Sequence, residues 1–290
     1  MHDLPTGAPL VVGVSGRSGA RAQEPEFPVR WAAQEALLRG VPLWLAHAYL
    51  GGSNRTGPAQ KAVRGLERTA AWLATDHPEL EVAMFARCGT AVAVLGDLAL
   101  DAGLTVVGHG RHTQGRVAEA VLGSVTAGLA HTASSPVVAV PAHASYTAVD
   151  APLVVGVNDL GGPSSVTMDF AFSEAQARRV PLRFVHCLPS HAPMDLARTV
   201  ERQDAEMRAA VTPYQEAYPS VPASVEVVDG DPGEVLVKES VTAGMVVLGP
   251  GRGWTAGWRL SRLGPVGHEV LNQAACPVVL LRDVAEAGRA

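Results

Sequence analysis

GLTVVGHGRHTQGRVAEAVLGSV (residues 103–125) returns in altered form as GMVVLGPGRGWTAGWRLSRLGPV (residues 244–266). The anchors keep one spacing. Gly103 and Gly244, Gly108 and Gly249, Gly123 and Gly264 and, beyond the block, Pro136 and Pro277 are each 141 positions apart. A single offset held across the whole block marks a duplicated unit and not chance patterning. In each copy a short apolar run leads through a glycine-rich loop to a helix-length segment, the repeating step of an α/β sheet.

Outward from that block the first half keeps alternating. LVVGV (residues 10–14) reads as a strand followed by a polar, glycine-rich loop. VRWAAQEALLRG (29–40) carries apolar residues at helical spacing, with Gly40 placed to end the helix. PLWLAHAYL (42–50) is the second strand. A helix over 59–75, a strand near 80–85, a helix over 91–102, a strand at 104–108, a helix over 124–132 and the strand PVVAVP (136–141) follow. Strands separated by helix-length crossovers predict a parallel, doubly wound sheet. The second half retraces the path from LVVGV (153–157) through FAFSEAQARRVPLRFVHC (170–187) to VVLLR (278–282), and AHASYTAVDAP (142–152) reads as a short linker.

A chain of 290 residues exceeds the usual single-domain size, and the repeat divides it into halves near that size. Hydrophobic residues make up 47% of the chain and aromatics only 5%, so each core must be filled by Val, Leu and Ala. A net charge of −5 and a pI near 6.1 leave no basic footprint for nucleic acid. Cys88, Cys187 and Cys276 have no motif in common and are expected to be buried, reduced thiols. MHDLPTGAPL has neither a basic start nor a long apolar stretch, and no later run is long enough to span a bilayer. The expectation is a soluble, cytoplasmic protein without membrane or nucleic-acid partners.

In an open parallel sheet the crevice lies beyond the carboxyl ends of the strands where the winding reverses. SGRSGAR (15–21) and HGRHTQG (109–115) should converge there in the first half, with Gly123 and Ser124 at a following helix start. Glycines allow close backbone approach, a helix start presents N–H groups, and Ser124 adds a hydroxyl, which together suit phosphate. The plainer alternative is that the glycines serve turns and that Ser124 caps its helix.

VVGVSG (11–16) and VVGVND (154–159) resemble the opening strand of universal stress proteins. RWAAQEALLRGVPLWLAHAY (30–49) resembles their first helix and second strand, and LGSV (122–125) with PVVAV (136–140) their closing segment. Nearly the whole chain is similar to the tandem, two-domain form of that family common in actinobacteria. The resemblance implies two Rossmann-like domains of the adenine nucleotide alpha hydrolase-like type, residues 1–142 and 151–284. Each would be a five-stranded parallel doubly wound sheet with helices on both faces.

Members that bind nucleotide carry an Asp just after strand 1, for the adenosine end of ATP, and a G-x2-G-x9-G-[ST] loop for ribose and phosphates. The positions this assigns are Val14, Ser15, Gly108, Gly110, Arg111, Gly123, Ser124 and Val125. Weaker counterparts are Asn158, Gly249, Gly251 and Gly264, and Mg2+ would enter only with the nucleotide. The chain departs from that pattern. Ser15 and Asn158 stand where Asp is expected, and fourteen residues separate Gly108 from Gly123 where the pattern has twelve. If Gly110 is the first glycine, Thr113 falls where the second should be, and the second half ends its loop in Gly264–Pro265. Proline brings neither a hydroxyl nor an N–H.

His47 and His186 sit at equivalent places near the end of strand 2 and read as structural histidines at the crevice rim. His109, His112 and His131 have no ligand spacing, and no metal site is expected. Neither Ser15 nor Ser124 has an evident base or a nucleophile elbow around it. Arg111, Arg116, Arg252 and Arg259 read as loop charges able to meet phosphate. Trp254 and Trp258 would either stack on a ligand base or pack against the neighbouring domain. The acidic side chains Asp97, Asp101, Glu234 and Glu239 are expected on exposed helix faces. Three functions remain open: a non-enzymatic stress-response or regulatory protein with a degenerate ATP site in the first half, a ligand-free interaction scaffold, and an adenine-nucleotide hydrolase of the same fold. The resemblance favours the first. It also implies that the halves pair through strands 137–140 and 278–281 as a covalent pseudo-dimer, leaving homodimerisation and a protein partner open.

Overall fold

The computed structural model describes residues 7–15, 25–51, 57–109, 124–141, 150–157, 163–188, 196–250 and 263–282. The chain divides near residue 143 into two compact units. The first contains β1 (Leu10–Gly13), α1 (Phe27–Arg39), β2 (Leu43–Tyr49), α2 (Gly57–Asp76), β3 (Val82–Cys88), α3 (Ala91–Leu98), β4 (Leu104–His109), α4 (Ser124–Thr132) and β5 (Val137–Pro141). The second contains β6 (Leu153–Val157), α5 (Ser165–Arg178), β7 (Leu182–Leu188), α6 (Leu196–Ala217), β8 (Ala223–Asp229), α7 (Pro232–Glu239), β9 (Met245–Leu248), α8 (Pro265–Gln273) and β10 (Val278–Leu280).

Strands in the first unit lie in the order β3-β2-β1-β4-β5 and in the second β8-β7-β6-β9-β10. The described pairings within each unit are parallel. Leu10 aligns with Leu43 on one side and Leu104 on the other, as Leu153 aligns with Leu182 and Met245. Winding runs outward from β1 to β3, then reverses to β4 and β5. Right-handed crossovers therefore place α1 and α2 on one face and α3 and α4, which pack together, on the other. Val11, Val12, Val154 and Val155 in the central strands are wholly buried, because helices cover both faces.

Two local signals set the first crossover of the first unit. The helix α1 starts with Pro28 in its first turn, where a missing N–H does no harm, and ends at Gly40 in the left-handed conformation (φ 63°, ψ 36°). Midway along it Glu35, only 2% exposed, forms an ion pair with Arg39 one turn on (2.5 Å). The second unit repeats the pair as Glu174 and Arg178 (2.5 Å). There, however, the left-handed position after the helix is held by Arg179 (φ 58°, ψ 42°).

Four expectations need correction. The third strand is Val82–Cys88 and not 80–85, because Leu80 closes a turn with its N–H on the His77 carbonyl. α3 stops at Leu98, where Leu100 and Asp101 turn back with N–H bonds to residues three before them. Cys88 is exposed at the end of β3, whereas Cys187 and Cys276 are buried, and burial pushes their thiols up to about 11 and about 12. Glu239 is not a solvated helix charge, since it pairs with Arg183 (2.9 Å), which also holds Glu226 (2.8 Å). Among the described residues no helix is long and apolar enough to cross a membrane.

A residue with a Cβ in the left-handed region is strained by about 1 kcal/mol. Arg179→Gly should therefore raise unfolding stability by about 1 kcal/mol in urea titration, and Gly40→Ala should lower it comparably. A destabilised Arg179→Gly variant would show that the side chain contributes more than the strain removes.

Candidate functional site

The reversal of winding puts the crevice of the first unit at the carboxyl ends of β1 and β4. Val14 carries the β1 ladder one step further, its N–H donating to the Ala46 carbonyl (2.8 Å). Its own carbonyl lies 2.7 Å from His47 Nδ1. A carbonyl can only accept, so the ring proton sits on Nδ1. The second unit repeats the contact between His186 Nδ1 and the Val157 carbonyl (2.8 Å). Both histidines thus tie the end of the second strand to the end of the first, which is the structural role their equivalent positions imply.

Glycines at the strand ends answer to packing. A Cβ on Gly108 would lie 3.1 Å from Pro28 Cγ in the first turn of α1. At Gly249 it would lie 2.3 Å from Thr167 Oγ1 in the first turn of α5, which is closer than any real contact. On the opposite face Gly13 would meet Leu95 of α3 at 3.1 Å, and Gly156 would meet Leu236 of α7 at 2.9 Å. The glycines at the ends of the two central strands are therefore fixed by helices from both faces. Gly13 and Gly156 were not among the residues the sequence singled out, although both occupy the fourth position of LVVGV in their halves.

Beyond these shared features the units diverge. Ser15 donates its hydroxyl proton to Glu26 Oε1 (2.5 Å). Glu26 sits at the N-cap of α1, yet its side chain makes no capping bond; its backbone carbonyl instead takes the N–H groups of Val29 (3.0 Å) and Arg30 (3.3 Å). In the second unit the helix start is closed on itself. Ser164 Oγ caps the Thr167 N–H (3.3 Å) and lies 2.9 Å from Thr167 Oγ1, the hydroxyl that covers Gly249.

The later helix of each unit shows the same divergence. Ser124 is the exposed first residue of α4, with Val125 half-buried behind it. α8 opens at Pro265 after Gly264 (φ −60°, ψ 172°), with no side-chain cap and open space around Gly264. The first helix thus offers a hydroxyl where the second offers a ring without a donor. Gly110, Arg111, Gly123, Asn158 and Gly251 lie outside the described residues, as do His112, Arg116, Arg252, Arg259, Trp254 and Trp258. His109 is buried at the end of β4 and His131 exposed near the end of α4. Among the described residues no three His, Cys, Asp or Glu side chains gather as a metal site would require.

Comparison with known proteins agrees with this architecture. Residues 152–282 match the model of the universal stress protein family. A universal stress protein of Mycobacterium tuberculosis strain H37Rv is 31% identical over 303 residues, covering 94% of this chain and 96% of that one. A second from the same strain is 29% identical over 300 residues, covering 94% and 97%. Among solved structures, a protein of unknown function from Pseudomonas aeruginosa PAO1 superposes with a TM-score of 0.66 at 16% identity, covering 98% of this chain and 96% of that one. A universal stress protein from Archaeoglobus fulgidus gives 0.65 at 12%, covering 95% and 98%. The chain belongs to the universal stress protein family.

Gly249→Ala drives a methyl group into Thr167 and should cost about 2 kcal/mol of stability. In a Thr167→Ala background the loss should shrink by at least half. Equal losses in both backgrounds, measured by denaturant unfolding, would mean that Thr167 is not what fixes this glycine.

Proposed function

We propose that this member of the universal stress protein family is a non-enzymatic, cytoplasmic stress-response protein whose first half, residues 1–142, keeps a reduced adenine-nucleotide site. The second half, residues 151–284, has lost its site. The observation that carries this reading is the contrast between the two helix starts: Ser124 exposed at the head of α4, and Pro265 in the same place at the head of α8. A helix start with a free hydroxyl suits the phosphates of ATP, whereas one opened by proline is short of a donor.

In this reading Gly123, Ser124 and Val125 face the phosphates, with Arg111 opposing their charge and Mg2+ arriving with the nucleotide. Val14, Ser15 and Gly108 border the adenosine end. Asn158, Gly249, Gly251 and Gly264 are the second half's remnants of the same positions. Binding without turnover fits the residues at β1. The Ser15 hydroxyl donates to the Glu26 carboxylate, and among the described residues no third group orients that carboxylate as in an activated nucleophile. The nucleotide then acts as a signal that favours one conformation over another, by no more than its difference in affinity for the two.

Calorimetry of the full chain against ATP, ADP, AMP and cyclic AMP, with mass spectrometry of co-purified ligand, tests the proposal. The expected result is one site per chain, weakened about tenfold by Ser124→Ala through loss of a hydrogen bond to a charged group. Pro265→Ser should leave that stoichiometry unchanged, since the second helix start lacks more than one group. No binding of any nucleotide would replace this reading with the ligand-free scaffold.

A further inference from the structure

Among the described residues of the crevice, the Ser15–Glu26 pair is accounted for by neither the repeat nor the family pattern. Three observations concern it. Ser15 Oγ lies 2.5 Å from Glu26 Oε1 and donates to it. Glu26 holds the N-cap position of α1 without using its side chain as a cap. At the matching helix start of the second unit, Ser164 does serve as the cap, and no acidic residue stands beside it. Arg30, one turn along α1, sets its guanidinium 5.8 Å from the Phe27 ring centroid. Among the described residues Ser15 is the hydrogen-bond partner of the Glu26 carboxylate.

The proton count decides what such a pair can bind. A serine hydroxyl has one hydrogen and two lone pairs, and an ionised carboxylate has lone pairs only. With the serine hydrogen committed to Glu26, the pair presents acceptors alone and carries a negative charge. Phosphate oxygens, also acceptors and also negative, are repelled from it. A group that fits must bring its own hydrogens. Two adjacent acceptors on neighbouring side chains suit two adjacent donors, and the vicinal hydroxyls of a ribose are such a pair.

We propose that Glu26, reaching across from the start of α1 and set by Ser15, is the residue that recognises the ribose 2′- and 3′-hydroxyls of a nucleotide in the first unit and makes the site selective for ribonucleotides. This rests on the nucleotide reading of the same crevice. It assigns Ser15 a positioning role: the hydroxyl holds one carboxylate oxygen and leaves the other to face the ligand. It also sets polarity, since the sugar lies at the β1 side and the phosphates must lie away from it, toward α4.

The test is calorimetry of the full chain, wild type and Glu26→Gln, with ATP, 2′,3′-dideoxy-ATP and ITP, in magnesium and again in EDTA with salt adjusted. Wild type should bind ATP and ITP at least tenfold more tightly than the dideoxy nucleotide. Glu26→Gln should weaken ATP and ITP about tenfold while changing dideoxy-ATP little, so that the preference collapses; a tenfold change corresponds to about 1.4 kcal/mol. Ser15→Ala should fall between them. Circular dichroism melting checks that the exposed substitutions leave the fold intact. If both proteins bind nucleotide with the same ribose preference, the role of Glu26 is overturned while the nucleotide site stands. If neither ATP nor its analogues bind wild type, both readings fall. A Glu26→Gln effect on ATP but not ITP would make the adenine amino group the target. An effect that disappears in EDTA would make it a bound cation. Either result overturns the ribose assignment.

Discussion

Helices in both units approach the ends of the central strands so closely that a single methyl group there would press on a helix side chain. Pro28 over Gly108, Thr167 over Gly249, Leu95 over Gly13 and Leu236 over Gly156 are four instances of one constraint. It arises where the winding reverses, because there the first helix lies on one face and the third on the other, and both press on strands that lie side by side. The crevice, the histidine ties and the helix starts take their places from that contact. The tightest of them is at Gly249, where a side chain would have to displace Thr167 in the first turn of α5.

The repeat made most of this legible. The helix ending at Gly40, the helix beginning at Ser124 and the strand opening at Leu153 lie where spacing and glycine placement put them. Errors fell where local pattern and tertiary setting conflict. The third strand is at the edge of its unit's strand order, and VAMFARC shows no clean alternation of buried and exposed positions, so its start could not be fixed from periodicity. Ala102 is buried and looks helical, but the chain has by then turned to enter β4. Partnerships were less visible still. Arg183 reaches Glu226 and Glu239 from a different strand and a different helix, and Ser15 reaches Glu26 across a polar loop that carries no period. The glycines of the crevice were visible as glycines. Their packing partners were not, since naming them requires knowing which helix crosses which strand end.

Two contacts of the supporting frame are kept in both copies. The buried Glu–Arg pair persists as Glu35–Arg39 and Glu174–Arg178, and the histidine tie persists as His47 and His186. The heads of the helices differ: Glu26 against Ser165, Ser124 against Pro265, and Pro28 against Thr167. Glu26 and Ser124 are exposed, and exposed residues at helix starts contribute little to the core, whereas Pro28 and Thr167 are buried and keep the same contact with a strand-end glycine. Function is therefore free to drift in one copy while stability is held in both.

The hydroxyl pair at the start of α5 has a consequence for that second crevice. Ser164 and Thr167 already satisfy one another and the helix end, and Thr167 lies against the strand end at Gly249. In the first unit the ring of Pro28 makes the same contact on Gly108. The second unit therefore keeps the packing with a polar group, whose hydroxyl must be satisfied, and Ser164 satisfies it from within the same helix start.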